Sequence, residues 1–322
     1  MDCIKHGYPF SFADDLKAYF DCICQLIQSD LDALMDWSIL NGLSFHPLKC
    51  KGLPFSNEMP DMTLKLGSND LLFVKSIEDL GFTVTSNLDW KNHIDSKLAK
   101  CTKVLNFLRR NIPFSTSSSR KKLLYHSLVV SILLYGSPVW APSITYLKKL
   151  EKFQIRAFKW ICSDKSYRWA LENHSYLPLC VQLVENDLLL LWKLKNGRLD
   201  VDHNLVTSTL NTRSSTLGLF DVPKTRKVGS ESNFFVRSTR TANALISSKA
   251  IDFSLSLGNF KSVLRNYLLS RIAYFDISNS CSFFIKCYCS FCRSWNLASG
   301  LGLWFDGPNA PRVPVFPWVG EL

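Results

Sequence analysis

The chain has 322 residues, of which 47% are hydrophobic and 13% aromatic, a composition that supports a folded core and excludes a disordered or fibrous chain. Its formal net charge of +11 favours a polyanionic partner, nucleic acid first and an anionic membrane surface second. Eleven cysteines have no repeated spacing, and the N-terminus has no apolar signal core. These features predict reduced thiols and an intracellular protein, with nucleus and cytoplasm both open.

The first part of the chain alternates between strand and helix patterns. Residues 8–12 and 16–20 are aromatic-rich runs around the polar turn Ala13-Asp14-Asp15, which predicts a β-hairpin. From residue 23 to 37 apolar side chains recur every three or four positions, which predicts an amphipathic helix that Gly42 can end. Short strands are expected after it, at 52–55, 63–66, 71–74 and 77–85.

From residue 90 onward the pattern becomes helical and basic. Helices are predicted near 91–111, 118–135, 143–162, 180–196 and 257–272, with a polar linker over 204–232. The charge-free stretch 123–147 is long enough to span a bilayer, but Gly136, Pro138 and Pro142 interrupt it. A buried helix followed by a loop is therefore favoured over a membrane span.

Asp14 and Asp15 are adjacent carboxylates on the predicted hairpin turn. Like charges at this distance repel each other unless cations compensate. A short turn suits Mg²⁺, because this hard cation prefers oxygen ligands, and two metals about 4 Å apart clamp both oxygens of a phosphoryl displacement. A solvated turn without a ligand is the alternative that the pair alone leaves open.

The residues around this pair resemble the motifs of one polymerase family. Phe12-Ala13-Asp14-Asp15-Leu16 resembles the (Tyr/Phe)-Ala-Asp-Asp box of reverse transcriptases. Segment 41–51 resembles the next palm motif of non-LTR retrotransposon polymerases, and segment 77–84 resembles their primer-gripping hairpin. The helical region after the palm is matched by residues 125–129, 134–140, 150–154 and 177–179. Motifs in this order and spacing make the chain similar, over about residues 8–272, to the C-terminal part of such a LINE or jockey-like reverse transcriptase.

The resemblance implies an α+β fold with a partial palm and a helical thumb. The implied divisions are a palm at 1–88, a thumb-like nucleic-acid-binding region at 89–200, a helical and loop region at 201–274 and an irregular tail at 275–322. Asp14 is implied to ligate Mg²⁺, with Asp15 supporting the same site. Lys49 is implied near the phosphates of the incoming nucleotide, as charge stabiliser or as acid for pyrophosphate; an ordinary exposed lysine is the alternative.

Nucleic acid is implied to contact two further groups of residues. Leu80, Gly81 and Phe82 are expected beside the primer end, although a strand bulge at Gly81 is the alternative. The thumb-like helices carry Lys97, Lys100, Lys103, Arg109, Arg110, Arg120, Lys121 and Lys122. Such side chains can follow a phosphate backbone without reading bases, or form a solvated face.

Other residues with chemical potential are given structural interpretations. The aromatic side chains of Trp90, Phe107 and Phe114 could stack on bases, but packing in helix cores is the favoured expectation for each. Cysteines cluster at 281, 287, 289 and 292, but the tail contains no histidine. A zinc site with Cys281 as its fourth ligand is therefore the less favoured alternative. The six histidines are likewise interpreted as structural.

The implied partners are an RNA template, a DNA primer and deoxynucleoside triphosphates, with no membrane. The family uses a further palm carboxylate upstream of the Asp-Asp turn, and only eleven residues precede Phe12. We therefore expect the chain to need the missing N-terminal part of the polymerase, to lack activity alone, and to be poorly soluble over 1–85. A non-catalytic nucleic-acid-binding remnant, a pseudogene product and a membrane-associated helical protein are the rival interpretations.

Overall fold

The computed structural model describes residues 3–21, 24–46, 48–55, 63–140, 142, 144–163, 165–199, 205, 220–223, 233–271 and 315–321. The chain forms two compact units, one made of Met1–His93 with Pro308–Leu322 and the other of Ile94–Gly307. The described residues combine helices with small sheets, which is compatible with the expected α+β class.

The first unit contains the described strands and one complete helix. The strands are β1 (Gly7–Phe12), β2 (Asp15–Phe20), β3 (Lys51–Pro54), β4 (Lys65–Leu66), β5 (Asn69–Asp70), β6 (Leu72–Phe73), β7 (Ser76–Asp79), β8 (Phe82–Thr85) and β9 (Val315–Glu321), and the helix is α1 (Cys24–Leu40). One sheet has the order β1-β2-β9-β3-β6, while β4 pairs with β5 and β7 with β8.

The second unit is helical over its described residues. It contains α3 (Ser118–Tyr125), α4 (Ser131–Leu133), α5 (Ile144–Ile161), α6 (Tyr167–Asn173), α7 (Leu179–Lys195), α8 (Phe234–Ser247) and α9 (Leu257–Ser270). Helix α2 (Lys91–Asn111) begins in the first unit and continues into the second. A π-helical turn, His126–Val130, connects α3 to α4.

The β1–β2 hairpin has one buried face and one exposed face. On β2, Leu16, Ala18 and Phe20 are almost fully buried and share a core with Ile27 and Leu31 of α1. Each large apolar side chain buried in this way contributes roughly 1.5–3 kcal/mol. The strict alternation along β2 fixes the register of the hairpin, because a shift by one residue would expose the whole apolar set.

A buried carboxylate anchors the start of the hairpin to α1. Asp30, which is 2% exposed, accepts hydrogen bonds from the backbone N–H groups of Lys5, His6 and Gly7 at 3.1, 2.7 and 2.9 Å. Charge-assisted hydrogen bonds of this kind are stronger than neutral ones. The three bonds fix the direction in which the chain enters β1.

An ion pair holds α7 and α8 together in the second unit. Arg237 donates to both carboxylate oxygens of Asp187, at 2.8 and 3.0 Å, and to the carbonyl oxygen of Pro138 at 2.6 Å. Both charged side chains are nearly buried. The planar guanidinium can satisfy all three acceptors at once, which the point charge of a lysine cannot do.

The sequence predicted most of these elements, and the structure differs from the prediction at several of them. The predicted hairpin, the first helix and the helices near 91–111, 143–162, 180–196 and 257–272 are confirmed. The predicted helix 118–135 is wrong in its middle and end, because a π-helical turn follows Tyr125 and turns begin at Leu134. The predicted strand 77–85 is interrupted by a turn and is two strands. Helices α6 and α8, and strand β9 in the tail, were not predicted.

Across the described residues, no helix is both long enough and apolar enough to cross a membrane. The charge-free stretch 123–147 is divided among α3, the π-helical turn, α4, a series of turns and the start of α5. The membrane-spanning interpretation of that stretch is therefore not supported by its secondary structure. The cysteines at 287, 289 and 292 lie outside the described residues.

Candidate functional site

The carboxylate pair lies where the first hairpin reverses direction. Phe12 pairs with Asp15 across the hairpin, so the turn proper is Ala13-Asp14 and Asp15 is the first residue of β2, a correction to the three-residue turn expected from the sequence. Ala13 has a φ of 54°, the sign that tight hairpin turns require at their first central position. Asp14 is exposed and Asp15 is half-buried.

The second hairpin, β7–β8, also has a strained two-residue turn. Leu80 and Gly81 lie between the paired residues Asp79 and Phe82, and both have positive φ, 45° and 81°. Two consecutive positive φ angles are typical of a type I′ turn. Gly81 is thus a turn residue, and the alternative of a strand bulge at this position is wrong.

An ion pair brings the two hairpins together within the first unit. Lys17 of β2 contacts the carboxylate of Asp79, directly before the Leu80-Gly81 turn, and the two side chains are only 18% and 27% exposed. A pair shielded from water to this degree is screened less than a surface pair. The strand that follows the Asp14 turn and the residue that precedes the Leu80-Gly81 turn are therefore linked by a direct contact.

Phe82 is held in place by a buried histidine at the start of α2. The rings of Phe82 and His93 stack with their centroids 5.5 Å apart, and the backbone N–H of Thr83 donates to His93 Nδ1 at 3.2 Å. This hydrogen bond requires the tautomer in which Nδ1 carries no proton. His93 is therefore a structural residue, as expected, and it fixes the second hairpin.

Lys49 comes to the same end of the sheet as the carboxylates. Lys17 of β2 and Lys51 of β3 both pair with Trp318 of β9. Because β2 and β3 are each antiparallel to β9, they run parallel to each other, about 10 Å apart across two strand spacings. Lys49 precedes β3 in an exposed turn, in which its N–H donates to the carbonyl oxygen of His46. The residues before Lys51 and those before Lys17 therefore lie at the same end of the sheet, where β2 and β3 begin.

The metal-binding capacity of the first turn depends on the chemistry of its two carboxylates. Mg²⁺ is commonly bound through one or two carboxylates together with substrate phosphates, and it keeps several waters. Asp14 and Asp15 supply oxygen ligands of that kind at the turn. In the described part of the chain, no group of three or more histidine, cysteine, aspartate or glutamate side chains is arranged to hold a metal ion.

The basic residues of α2 divide between one outer face and its two borders. Lys100, Lys103 and Arg110 are exposed on the side of the helix opposite the buried Cys101 and Leu105. At one border, the Lys97 ammonium lies 4.9 Å from the ring centroid of Tyr135. Arg109 is exposed at the other border. The three outer cations can thus contact one continuous polyanion.

Helix α5 adds cations that the sequence reasoning missed. A groove of about 570 Å³ is lined by Leu98, Lys149, Lys152, Ile155 and Arg156. Its three basic residues lie three to four positions apart on α5, a spacing that places them on one face. The same periodicity was the available sequence signal. The Lys149 ammonium also contacts the Asp95 carboxylate at 3.2 Å.

The expectation that Phe107 and Phe114 pack in helix cores is wrong. Their side chains are 57% and 79% exposed. Phe107 lies on the outer face of α2, between Lys103 and Arg110, and Phe114 lies in the turn after α2. Amphipathic periodicity assigns apolar residues to the core by default, so it fails wherever an aromatic side chain occupies the polar face.

Comparisons with known proteins provide no independent support for these assignments. No family model matches the chain, and neither a curated protein nor a solved structure matches it.

Proposed function

We propose that the chain is part of an RNA-directed DNA polymerase of the reverse transcriptase type, in which Asp14 and Asp15 hold Mg²⁺ for nucleotidyl transfer. The observation that supports this function most is the ion pair between Lys17 and Asp79. It joins two hairpin turns that both contain non-glycine residues with positive φ, Ala13 and Leu80. Strained backbone of this kind concentrates at functional sites.

Each residue has a defined role in this proposal. Mg²⁺, when bound, stabilises the charge that develops on the transferred phosphoryl group. Asp14 and Asp15 provide oxygen ligands, and Lys49 provides a positive charge for the nucleotide phosphates at the same edge of the sheet. The Leu80-Gly81 turn and Phe82 position the primer end, because the buried His93 and the Lys17–Asp79 pair hold their backbone in place.

Metal binding tests the role of the carboxylates without relying on turnover. Mn²⁺, added as a stand-in for Mg²⁺ in the presence of a primed RNA template and a deoxynucleoside triphosphate, can be titrated by electron paramagnetic resonance. We expect Asp14→Asn and Asp15→Asn each to weaken binding by at least about tenfold, since each removes a charged oxygen ligand. Asp70→Asn is the matched control, because Asp70 is an exposed carboxylate on another hairpin. Equal Mn²⁺ binding by all four proteins would overturn the proposal.

Primer extension addresses activity separately. In the described part of the chain, no third histidine, cysteine, aspartate or glutamate is arranged with Asp14 and Asp15 to hold a metal ion. We therefore expect this chain alone to extend no primer on an RNA template with Mg²⁺. Extension by the chain that is lost in Asp14→Ala would contradict the expected inactivity.

A non-catalytic nucleic-acid-binding role is the second candidate, and the basic groove beside α5 favours it. In that case the chain binds primer–template in a salt-dependent manner, but neither Mn²⁺ binding nor extension depends on Asp14 and Asp15. The same two assays therefore separate the two functions.

A further inference from the structure

Three aromatic side chains of the second unit, two of them exposed, each lie close to a lysine ammonium. We name the aromatic patch as Phe114, Trp160 and Trp169. Phe114 is 79% exposed and Trp169 is 40% exposed, whereas Trp160 is half-buried. Phe114 and Trp169 therefore keep much of their ring surface in contact with water, and a ligand could cover that surface.

A buried lysine fixes two members of the aromatic patch. The Lys121 ammonium lies 5.0 Å from the ring centroid of Phe114 and 5.8 Å from that of Trp160. It also donates a hydrogen bond to the carbonyl oxygen of Phe114 at 2.9 Å. Lys121 is only 1% exposed, so this cation supports the rings from the protein side. The open side of the Phe114 ring remains accessible.

The neighbouring lysine connects the same helix to the third ring. The Lys122 ammonium donates to the carbonyl oxygen of His174 at 2.8 Å, and the His174 ring packs edge-to-face on Trp169 with centroids 6.0 Å apart. The Lys165 ammonium lies 6.0 Å from the Trp169 ring centroid. Lys121 thus contacts Phe114 directly, whereas Lys122 is connected to Trp169 only through His174.

The charge around the aromatic patch is strongly positive. The sequence segments 105–125 and 155–175 contain nine basic residues but only two acidic ones, Asp164 and Glu172. Glu172 forms an ion pair with Arg168 at 3.0 Å. The exposed cations among these residues include Arg109, Arg110, Arg120, Lys159 and Lys165. A polyanion is therefore the partner whose charge complements this surface.

We propose that the aromatic patch binds single-stranded nucleic acid, with bases stacking on Phe114 and Trp169 and phosphates lying against the surrounding cations. Surfaces that combine aromatic rings with basic side chains bind single strands, because every unpaired base offers a face for stacking. In a duplex the base faces are already stacked on one another and are not available to the rings. The choice of nucleic acid as the ligand of this patch rests on the function proposed above.

Binding of labelled oligothymidylate and oligouridylate to the full chain, measured by fluorescence anisotropy, tests this site. We expect the double variant Phe114→Ala/Trp169→Ala to bind single strands about 10-fold to 100-fold more weakly, since each lost stacking contact is worth roughly 1–3 kcal/mol. The slope of log affinity against log salt should stay unchanged, because no phosphate contact is removed. Binding to a duplex should change far less than binding to the single strand.

Two controls make the result specific. Tyr267→Ala removes another aromatic side chain with a cation on its ring, the Arg271 guanidinium at 5.2 Å, but outside the aromatic patch. The aromatic replacement Phe114→Trp/Trp169→Phe should restore single-strand binding to near the wild-type value. The proposal is overturned if the wild type binds no single strand, if the double alanine variant binds it normally, or if single-strand and duplex affinities fall equally. If Mn²⁺ binding is unchanged in the Asp14 and Asp15 variants, the catalytic proposal is refuted, but the single-strand site is not affected by that result.

Discussion

At the scale of single residues, Glu151 is a buried carboxyl group of the second unit. It lies on α5 and is 5% exposed. Its carboxyl group accepts hydrogen bonds from the hydroxyl of Tyr167 and from the backbone N–H of Cys180 at 3.4 Å. Cys180 belongs to the first turn of α7, whose N-cap residue, Pro178, has no side-chain cap bond. Glu151 therefore caps α7 from another helix.

Burial raises the pKa of Glu151 from 4.5 to about 7, although its hydrogen bonds from Tyr167 and Cys180 oppose the shift. The folded state then holds this proton more tightly than the unfolded state. The associated stability is fully present below pH 4.5 and is lost as the pH rises through about 7. The loss is on the order of 3 kcal/mol for a fully buried group.

We expect Glu151→Gln to gain stability relative to the wild type as the pH rises from 4.5 to above 7, because glutamine resembles the neutral carboxyl group. Urea denaturation followed by tryptophan fluorescence at several pH values measures the difference in free energy of unfolding. His126 and His174 have lowered pKa values that act in the opposite direction, but they contribute equally to both proteins and cancel. Glu172→Gln is the control at an exposed glutamate, and a pH-dependent difference of equal size there would refute the assignment.

At the scale of elements, the β1–β2 hairpin combines a strained turn with a protected edge. The positive φ of Ala13 costs an L-residue roughly 1–2 kcal/mol. Pro9 lies on β1, the edge strand of its sheet. Phe12 and Asp15, the pair next to the turn, bond to each other through their backbone N–H and C=O groups. Because these groups alternate in direction along a strand, the backbone nitrogen of residue 9 faces away from β2. A proline there removes a donor that would otherwise invite another strand.

Ala13→Gly should therefore stabilise the first unit by about 0.5–1 kcal/mol, because glycine adopts positive φ without steric cost but loses more entropy on folding. Ala18→Gly is the matched control in the same hairpin. Ala18 is 1% exposed within β2, and the same substitution there should destabilise by about 1 kcal/mol. Urea denaturation followed by circular dichroism measures both free energies of unfolding. Effects of the same sign in the two variants would refute the strain at Ala13.

At the scale of the whole molecule, the net charge of +11 acts through its distribution. The cations of α2 lie on one outer face and at its borders, and Lys149, Lys152 and Arg156 of α5 line a groove. In the second unit several other charges are used internally, as in the Arg237–Asp187 and Arg265–Glu185 pairs. Only the cations that remain at the surface can release counterions when a polyanion binds.

We expect the triple variant Lys100→Gln/Lys103→Gln/Arg110→Gln to bind duplex nucleic acid with a weaker salt dependence. The slope of log affinity against log salt should fall by up to about three, roughly one per lost phosphate contact. Anisotropy titrations over a range of salt concentrations measure this slope. The matched triple variant replaces Lys75, Lys249 and Lys261, which lie outside α2 and α5. Equal slopes in the two variants would show that binding follows net charge and not the outer face of α2.

The hairpin and several helices were predictable from local patterns. Alternation along β2 and three-to-four periodicity along α1 and α2 depend only on which side chains avoid water, so they can be read without knowledge of the partner elements. The π-helical turn at His126–Val130 and helix α8 were missed. The π-helical turn is a local insertion that leaves the apolar residues in place. Helix α8 buries Ser238, Thr239 and Thr241, polar residues that a hydrophobic pattern does not assign to the core.

The candidate site remains a prediction in its residues, and the structure adds their geometry. The sequence alone pointed to the Asp14-Asp15 pair, because hard cations prefer oxygen ligands, and the family resemblance added Lys49 and Gly81. Only the tertiary structure decided that Lys17 and Asp79 join the two turns and that Phe114 faces water. Contacts between residues far apart in the chain depend on how the elements pack, and hydrophobic periodicity does not encode that packing.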